Sequence, residues 1–207
     1  MRQANTKERI LNESLKLFSQ HGYEAVGVIQ IAAAVGIKAP SLYKHYKNKR
    51  AIFDSILERV NEMDSDQAQS HEMPNGTVDE VREDYNNVPF DKICEYTRAM
   101  FLHWTEEEFS RNFRRLLTLE QYKTREMGEL YQQYLSGGPV QYMADIFNAI
   151  VDSQNKAYQL AVEFYSPIFL MYSLYDGGAD INDLLTLLQK HLSDFSERLE
   201  ESRSCGE

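Results

Sequence analysis

Between residues 38 and 49 the chain gathers side chains that suit contact with a polyanion. Lys38, Ser41, Lys44 and His45 follow Gly36 closely. A lysine ammonium binds phosphate as a point charge and donates to guanine edges, while hydroxyl and imidazole groups form directional bonds. A short helix from Pro40 to Tyr46 would turn these four outward, and proline suits its first position. Such a helix enters a major groove with its N-terminal residues at base edges. The plainer alternative is a helical hairpin inside a core.

Charge supports the first reading. The chain of 207 residues carries a net −10. Residues 1–50 nevertheless hold nine Lys/Arg against three acids, and the remainder 13 against 29. A basic segment on an acidic body is the footprint of a polyanion-binding head.

Other chemistries lack their residues. His21, His45, His71, His103 and His191 are scattered, without metal-ligand spacing. Cys94 and Cys205 have no partner motif. No dinucleotide, Walker or G-x-S-x-G motif occurs. The sequence therefore predicts no enzyme, metal or cofactor. Composition is that of a globular chain, 43% apolar and 12% aromatic. A polar, mixed-charge start and no long apolar span predict a cytoplasmic protein with no membrane partner.

The positioning elements read as all-α, since 3.6-residue periodicity recurs and strand alternation does not. Thr6 is placed to cap a first helix, which Gly22 ends. A helix over about 28–35 leads to Gly36, whose turn favours a positive φ. Ile31, Ala32, Val35, Ile37 and Leu42 can pack the two short helices together. Asn48 caps the next helix, whose apolar residues are Ile52, Phe53, Ile56, Leu57 and Val60. Residues 64–89 read as a long polar loop, with a helical turn near 79–85. Helices are then expected over 90–108, 110–122, 124–135, 140–153, 156–175 and 181–201.

The ordered set Arg9-Ile10-Leu11, Leu17-Phe18, Gly22-Tyr23, Ile31-Ala32, Val35-Gly36-Ile37, Ser41-Leu42-Tyr43 and Tyr46-Lys47-Asn48-Lys49 resembles the tetracycline-repressor (TetR) family of bacterial regulators. The resemblance implies a three-helix DNA-binding head over residues 1–48. Residues 49–207 would form a helical body for effector binding and dimerisation. It implies a ligand-responsive transcriptional regulator that represses from a palindromic operator as a homodimer. An activator or a helical scaffold with the same head remains the alternative. By position, Tyr43, Lys47 and Lys49 match backbone-phosphate contacts. Lys38, Ala39, Pro40, Ser41, Lys44 and His45 match positions at or near base edges. Gly27 departs from the usual Thr or Ser, so a capping hydroxyl and its phosphate contact are lost.

In the body, Leu184, Leu188, Leu192, Phe195 and Leu199 draw one stripe on the last helix. Ala161, Tyr165, Ile168, Phe169 and Tyr172 mark the helix before it. Both could pack on their own chain. The resemblance implies instead that this pair packs on a second copy, and these ten residues are the expected dimer interface. It also implies an effector among the middle helices. The residues expected to line that pocket are Tyr96, Met100, His103, Trp104, Phe113, Leu117, Tyr131, Tyr134, Tyr142 and Phe147.

Overall fold

A computed structural model of the chain describes residues 2–74, 88–148, 151 and 153–204. Among them every regular element is helical, as the periodicity predicts. The elements are α1 (Arg2–His21), α2 (Val28–Val35), α3 (Ala39–Leu42) and α4 (Lys49–Ser70). They continue as α5 (Phe90–Glu106), α6 (Glu108–Glu120), α7 (Arg125–Leu135), α8 (Gly137–Asn148), α9 (Gln154–Asp176) and α10 (Ile181–Ser204).

Several boundaries differ from expectation. The first helix begins at Arg2, so Thr6 lies within it and does not cap it. The fourth runs to Ser70, because Met63 and Ala68 extend a helix through a stretch whose acidity reads as loop. The helical turn expected at 79–85 lies outside the described residues. The eighth starts at Gly137, with Pro139 in its first turn, where a missing N–H costs nothing. The third is a single turn, discussed below.

Packing divides the chain into two compact units, Met1–Ser65 with Glu106–Tyr131, and Asp66–Thr105 with Gln132–Glu207. In the first, α1 lies against α2 and α6. Its core is Ile10, Leu15, Phe18, Ile31, Leu42, Ile52, Phe53, Ile56, Phe113, Leu116 and Leu117, all fully buried. Ser14 is buried among them, and its hydroxyl has no hydrogen-bond partner among the described residues. Gly22 ends α1 at φ +85°, and its N–H donates to the Phe18 carbonyl at 2.8 Å. That left-handed conformation strains any residue with a Cβ.

In the second unit α9 packs on α8 and α10. Its core centres on an aromatic cluster of Phe90, Phe147, Phe164 and Phe195. Ring centroids lie 5.0 Å apart for Phe164 and Phe195, and 5.5 Å apart for Phe147 and Phe195. His191 joins its edge, with Nε2 2.8 Å from the Phe164 carbonyl oxygen.

Most residues of the expected dimer interface are covered within their own chain. Phe195 is part of the aromatic cluster, and Leu184, Leu188, Leu192 and Leu199 are buried in their own chain as well. Ala161, Ile168 and Tyr172 are also buried, Tyr172 stacking on Phe101 at 5.3 Å. Tyr165 is half-buried, and its hydroxyl donates to the Leu135 carbonyl at 3.0 Å. Of the ten residues only Phe169 is exposed. The apolar residues left uncovered are others: Tyr158, Val162, Leu170 and Leu174 on α9, and Leu187 on α10. A periodic stripe identifies a buried face without saying which chain buries it.

Candidate nucleic-acid interface

The head is assembled by short-range devices. Gly27 stands at the N-cap of α2 without a side chain to offer. Gln30 compensates in part, its carboxamide oxygen accepting the Gly27 N–H at 2.7 Å. At the far end Gly36 adopts φ +75°, and its N–H and that of Ile37 close on the Ala33 and Ala32 carbonyls. Arg9 reaches across from α1, and its guanidinium donates to the Val35 carbonyl at 2.5 Å. The turn between α2 and α3 is thereby fixed from three sides.

The expected helix from Pro40 to Tyr46 is shorter. α3 spans Ala39–Leu42, with Lys38 as N-cap and Pro40 in its first turn. Tyr43 to His45 continue as hydrogen-bonded turns, with the His45 and Tyr46 N–H groups both donating to the Leu42 carbonyl. Leu42 and Tyr46 are buried and anchor this segment. Burial pushes the Tyr46 phenol up, against a lowering hydrogen bond with Ser55. The anchors leave Lys38, Pro40, Tyr43, Lys44 and Lys47 exposed, with Ala39, Ser41 and His45 partly so. Tyr43 holds 54% of its surface open. Eight of the nine expected contact residues therefore share one short anchored segment, with cations and hydrogen-bonding groups on its open side.

Lys49 is placed differently. Its ammonium donates to the Tyr23 carbonyl at 2.9 Å and lies 4.2 Å from the Tyr23 ring centroid. Glu24 is 3.8 Å away. It holds the head together in this arrangement, and phosphate binding would have to compete with those contacts. Asn48 does cap α4, accepting the Ala51 N–H at 2.8 Å.

Sequence reasoning missed two features here. Ile29, in the first turn of α2, is 76% exposed. A large aliphatic group facing outward in the residue pair after Gly27 was the available signal. Arg50 pairs with Asp54 at 2.6 Å and Glu126 at 2.7 Å, which hold its guanidinium firmly protonated. The partner Glu126 is too distant in sequence to be foreseen.

The ten expected pocket residues do not gather in one unit. Phe113, Leu117 and Tyr131 belong to the first, and the other seven to the second. Phe113, Leu117 and Phe147 are fully buried in packed cores. Trp104 and His103 are buried neighbours, 6.0 Å between ring centroids, and Tyr134 lies 6.3 Å from Trp104. Tyr96 lies against His71 at 5.8 Å, while Met100 and Tyr142 are half-buried. Burial pushes the Cys94 thiol up to about 12, which disfavours the nucleophilic thiolate. Among the described residues no group of His, Cys, Asp and Glu could hold a metal ion. No helix there is long and apolar enough to cross a membrane.

A glycine-turned pair of short helices with a cationic outer face, braced by a third, defines a helix-turn-helix head. Residues 10–56 match the profile of the tetR family of bacterial regulatory proteins. The HTH-type transcriptional repressor ComR of Escherichia coli is 42% identical over 53 residues, 26% of this chain and 25% of ComR. The chain thus matches about a quarter of that relative's length. IcaR of Staphylococcus aureus, the HTH-type negative transcriptional regulator of the biofilm operon icaADBC, is 28% identical over 130 residues. That match covers 61% of this chain and 70% of IcaR. Among solved structures, the SmeT–triclosan complex superposes with a TM-score of 0.67 at 17% identity, covering 92% of this chain and 90% of SmeT. The head, residues 10–56, is thus similar to the helix-turn-helix module of the tetR family, and the chain shares its fold with SmeT.

Proposed function

We propose that the chain is a homodimeric repressor that reads a palindromic operator and is released by a small-molecule effector. The observation that carries this reading is the anchored segment 38–47, with Lys38, Tyr43, Lys44 and Lys47 exposed around buried Leu42 and Tyr46. Lys38, Ser41, Lys44 and His45 read base edges, and Ala39 and Pro40 touch thymine methyl groups. Tyr43 and Lys47 hold phosphates, which fixes register without carrying sequence information. Repression is supported by ComR and IcaR, both negative regulators by name.

Two copies are needed to read two half-sites. The uncovered apolar residues Tyr158, Val162, Phe169, Leu170 and Leu174 of α9, with Leu187 of α10, form the contact. An effector in the body is supported by SmeT, a protein of the same fold that binds triclosan.

Selection of bound duplexes from a random pool, at two salt concentrations, tests the reading. A recovered palindrome supports a dimeric reader. Sequence-blind binding that vanishes with salt contradicts it and favours a scaffold that has kept the head.

A further inference from the structure

Within the first unit, the end of α6 and the residues after it hold the head through polar contacts. Glu120 is 1% exposed. Its Oε1 accepts the Tyr23 N–H at 3.1 Å and pairs with Lys123 Nζ at 2.7 Å. The carbonyl of the same Tyr23 accepts Lys49 Nζ, so the residue is gripped from α6 on one side and from the start of α4 on the other. One residue along, Arg50 bridges to Glu126. Above Glu120, Gly22 leaves just enough room: a Cβ there would stand 2.5 Å from Oε1.

This is a costly place for a carboxylate. It is removed from water and faces the C-terminal end of α1, where the helix dipole disfavours an anion. Close packing alone could be met by an apolar side chain. A buried anion is tolerable here because Lys123 neutralises it and the Tyr23 amide bonds to it.

We propose that Glu120 is a positioning residue for DNA recognition. By holding the Tyr23 amide it makes the head, the start of α4 and α6 move as one body. The separation of two heads on an operator is then governed from residues 108–126, not at the junction near residue 49. This rests on the operator-reading function proposed above.

The test uses the full-length chain and a panel of duplexes carrying the selected half-sites at spacings varied one base pair at a time. Glu120→Asp withdraws the carboxylate from the Tyr23 amide, Glu120→Gln keeps an acceptor there, and Glu120→Ala removes it. Loss of one charge-assisted bond corresponds to about tenfold in an equilibrium. Wild type and E120Q should therefore discriminate against a shifted spacing by about tenfold more than E120D or E120A. Binding to a single half-site should stay within about twofold in all four. The Tyr23 amide should also exchange with deuterium faster in E120D than in E120Q. If E120A does not fold, the E120D and E120Q pair decides the matter. Equal spacing preference in those two, or parallel loss on single and paired half-sites, overturns the clamp. Wild type that selects no spacing overturns the dimeric reader and the clamp with it.

Discussion

Lys44 and Lys47 are both exposed lysines three residues apart, yet they should fail differently. Lys47 is proposed to hold a phosphate, so Lys47→Ala should weaken binding to every sequence and lower the salt slope by about one unit. Lys44 is proposed to read base edges, so Lys44→Ala should cost about 1–3 kcal/mol at one operator position. Equal losses on cognate and random duplexes for Lys44→Ala would contradict base reading. Titrations at several salt concentrations separate the two. Ser14 gives a prediction of another kind. Its buried hydroxyl has no partner among the described residues, so Ser14→Ala should stabilise the chain by about 1 kcal/mol. Calorimetry should show a melting point higher by roughly 2–4 °C. At this scale the sequence was informative where chemistry is local. Segment 38–47 is specified by a glycine, a proline and two anchors within eleven residues of one another. Lys49 and Glu120 were illegible, because their partners, Tyr23 in both cases, lie 26 and 97 residues away.

The helices show what periodicity can and cannot specify. The repeat on α10 correctly marks Leu184, Leu188, Leu192, Phe195 and Leu199 as one face. Their burial, with Phe195 packed against Phe90, Phe147 and Phe164, is a tertiary fact that no spacing contains. The uncovered face of α9 is marked less sharply, because Ser166 and Ser173 interrupt it. The two faces make opposite predictions. Leu188→Ala should destabilise the fold by about 2–5 kcal/mol, since it opens a cavity in a closed core. Leu170 is 57% exposed, so Leu170→Glu should leave folding nearly unchanged while placing a charge in the proposed dimer contact. Sedimentation should show monomers for Leu170→Glu at concentrations where wild type is dimeric. A dimer unaffected by Leu170→Glu would remove α9 from the interface. The acidic end of α4 teaches a related lesson: Asp66 reads as loop by charge, but charge on a solvated helix face is no obstacle to helix.

For the whole molecule, effector and operator are proposed to act on one equilibrium. Coupling of this kind is reciprocal, so saturating operator must weaken effector binding by the factor by which effector weakens operator binding. Once an effector is in hand, calorimetric titration with and without operator checks the equality. A factor of one in both directions would make that compound a bystander. Charge adds a kinetic element. On the proposed reading, the basic head attracts DNA while the acidic remainder of the chain repels it, which favours encounters in the productive orientation. That asymmetry was fully visible in the sequence, whereas the division into packing units was not.

The contacts of Tyr23 also bear on modularity. Recombination that exchanges regulator heads as cassettes cut near residue 48 would join a foreign head to the native Glu120 and Lys123. A grafted loop without glycine at position 22 would collide with the Glu120 carboxylate, and one without a matching amide would leave that carboxylate buried and underbonded. The exchangeable cassette in this protein is therefore discontinuous, and a chimera that carries residues 106–131 along with its head should retain folding that a simple head graft forfeits.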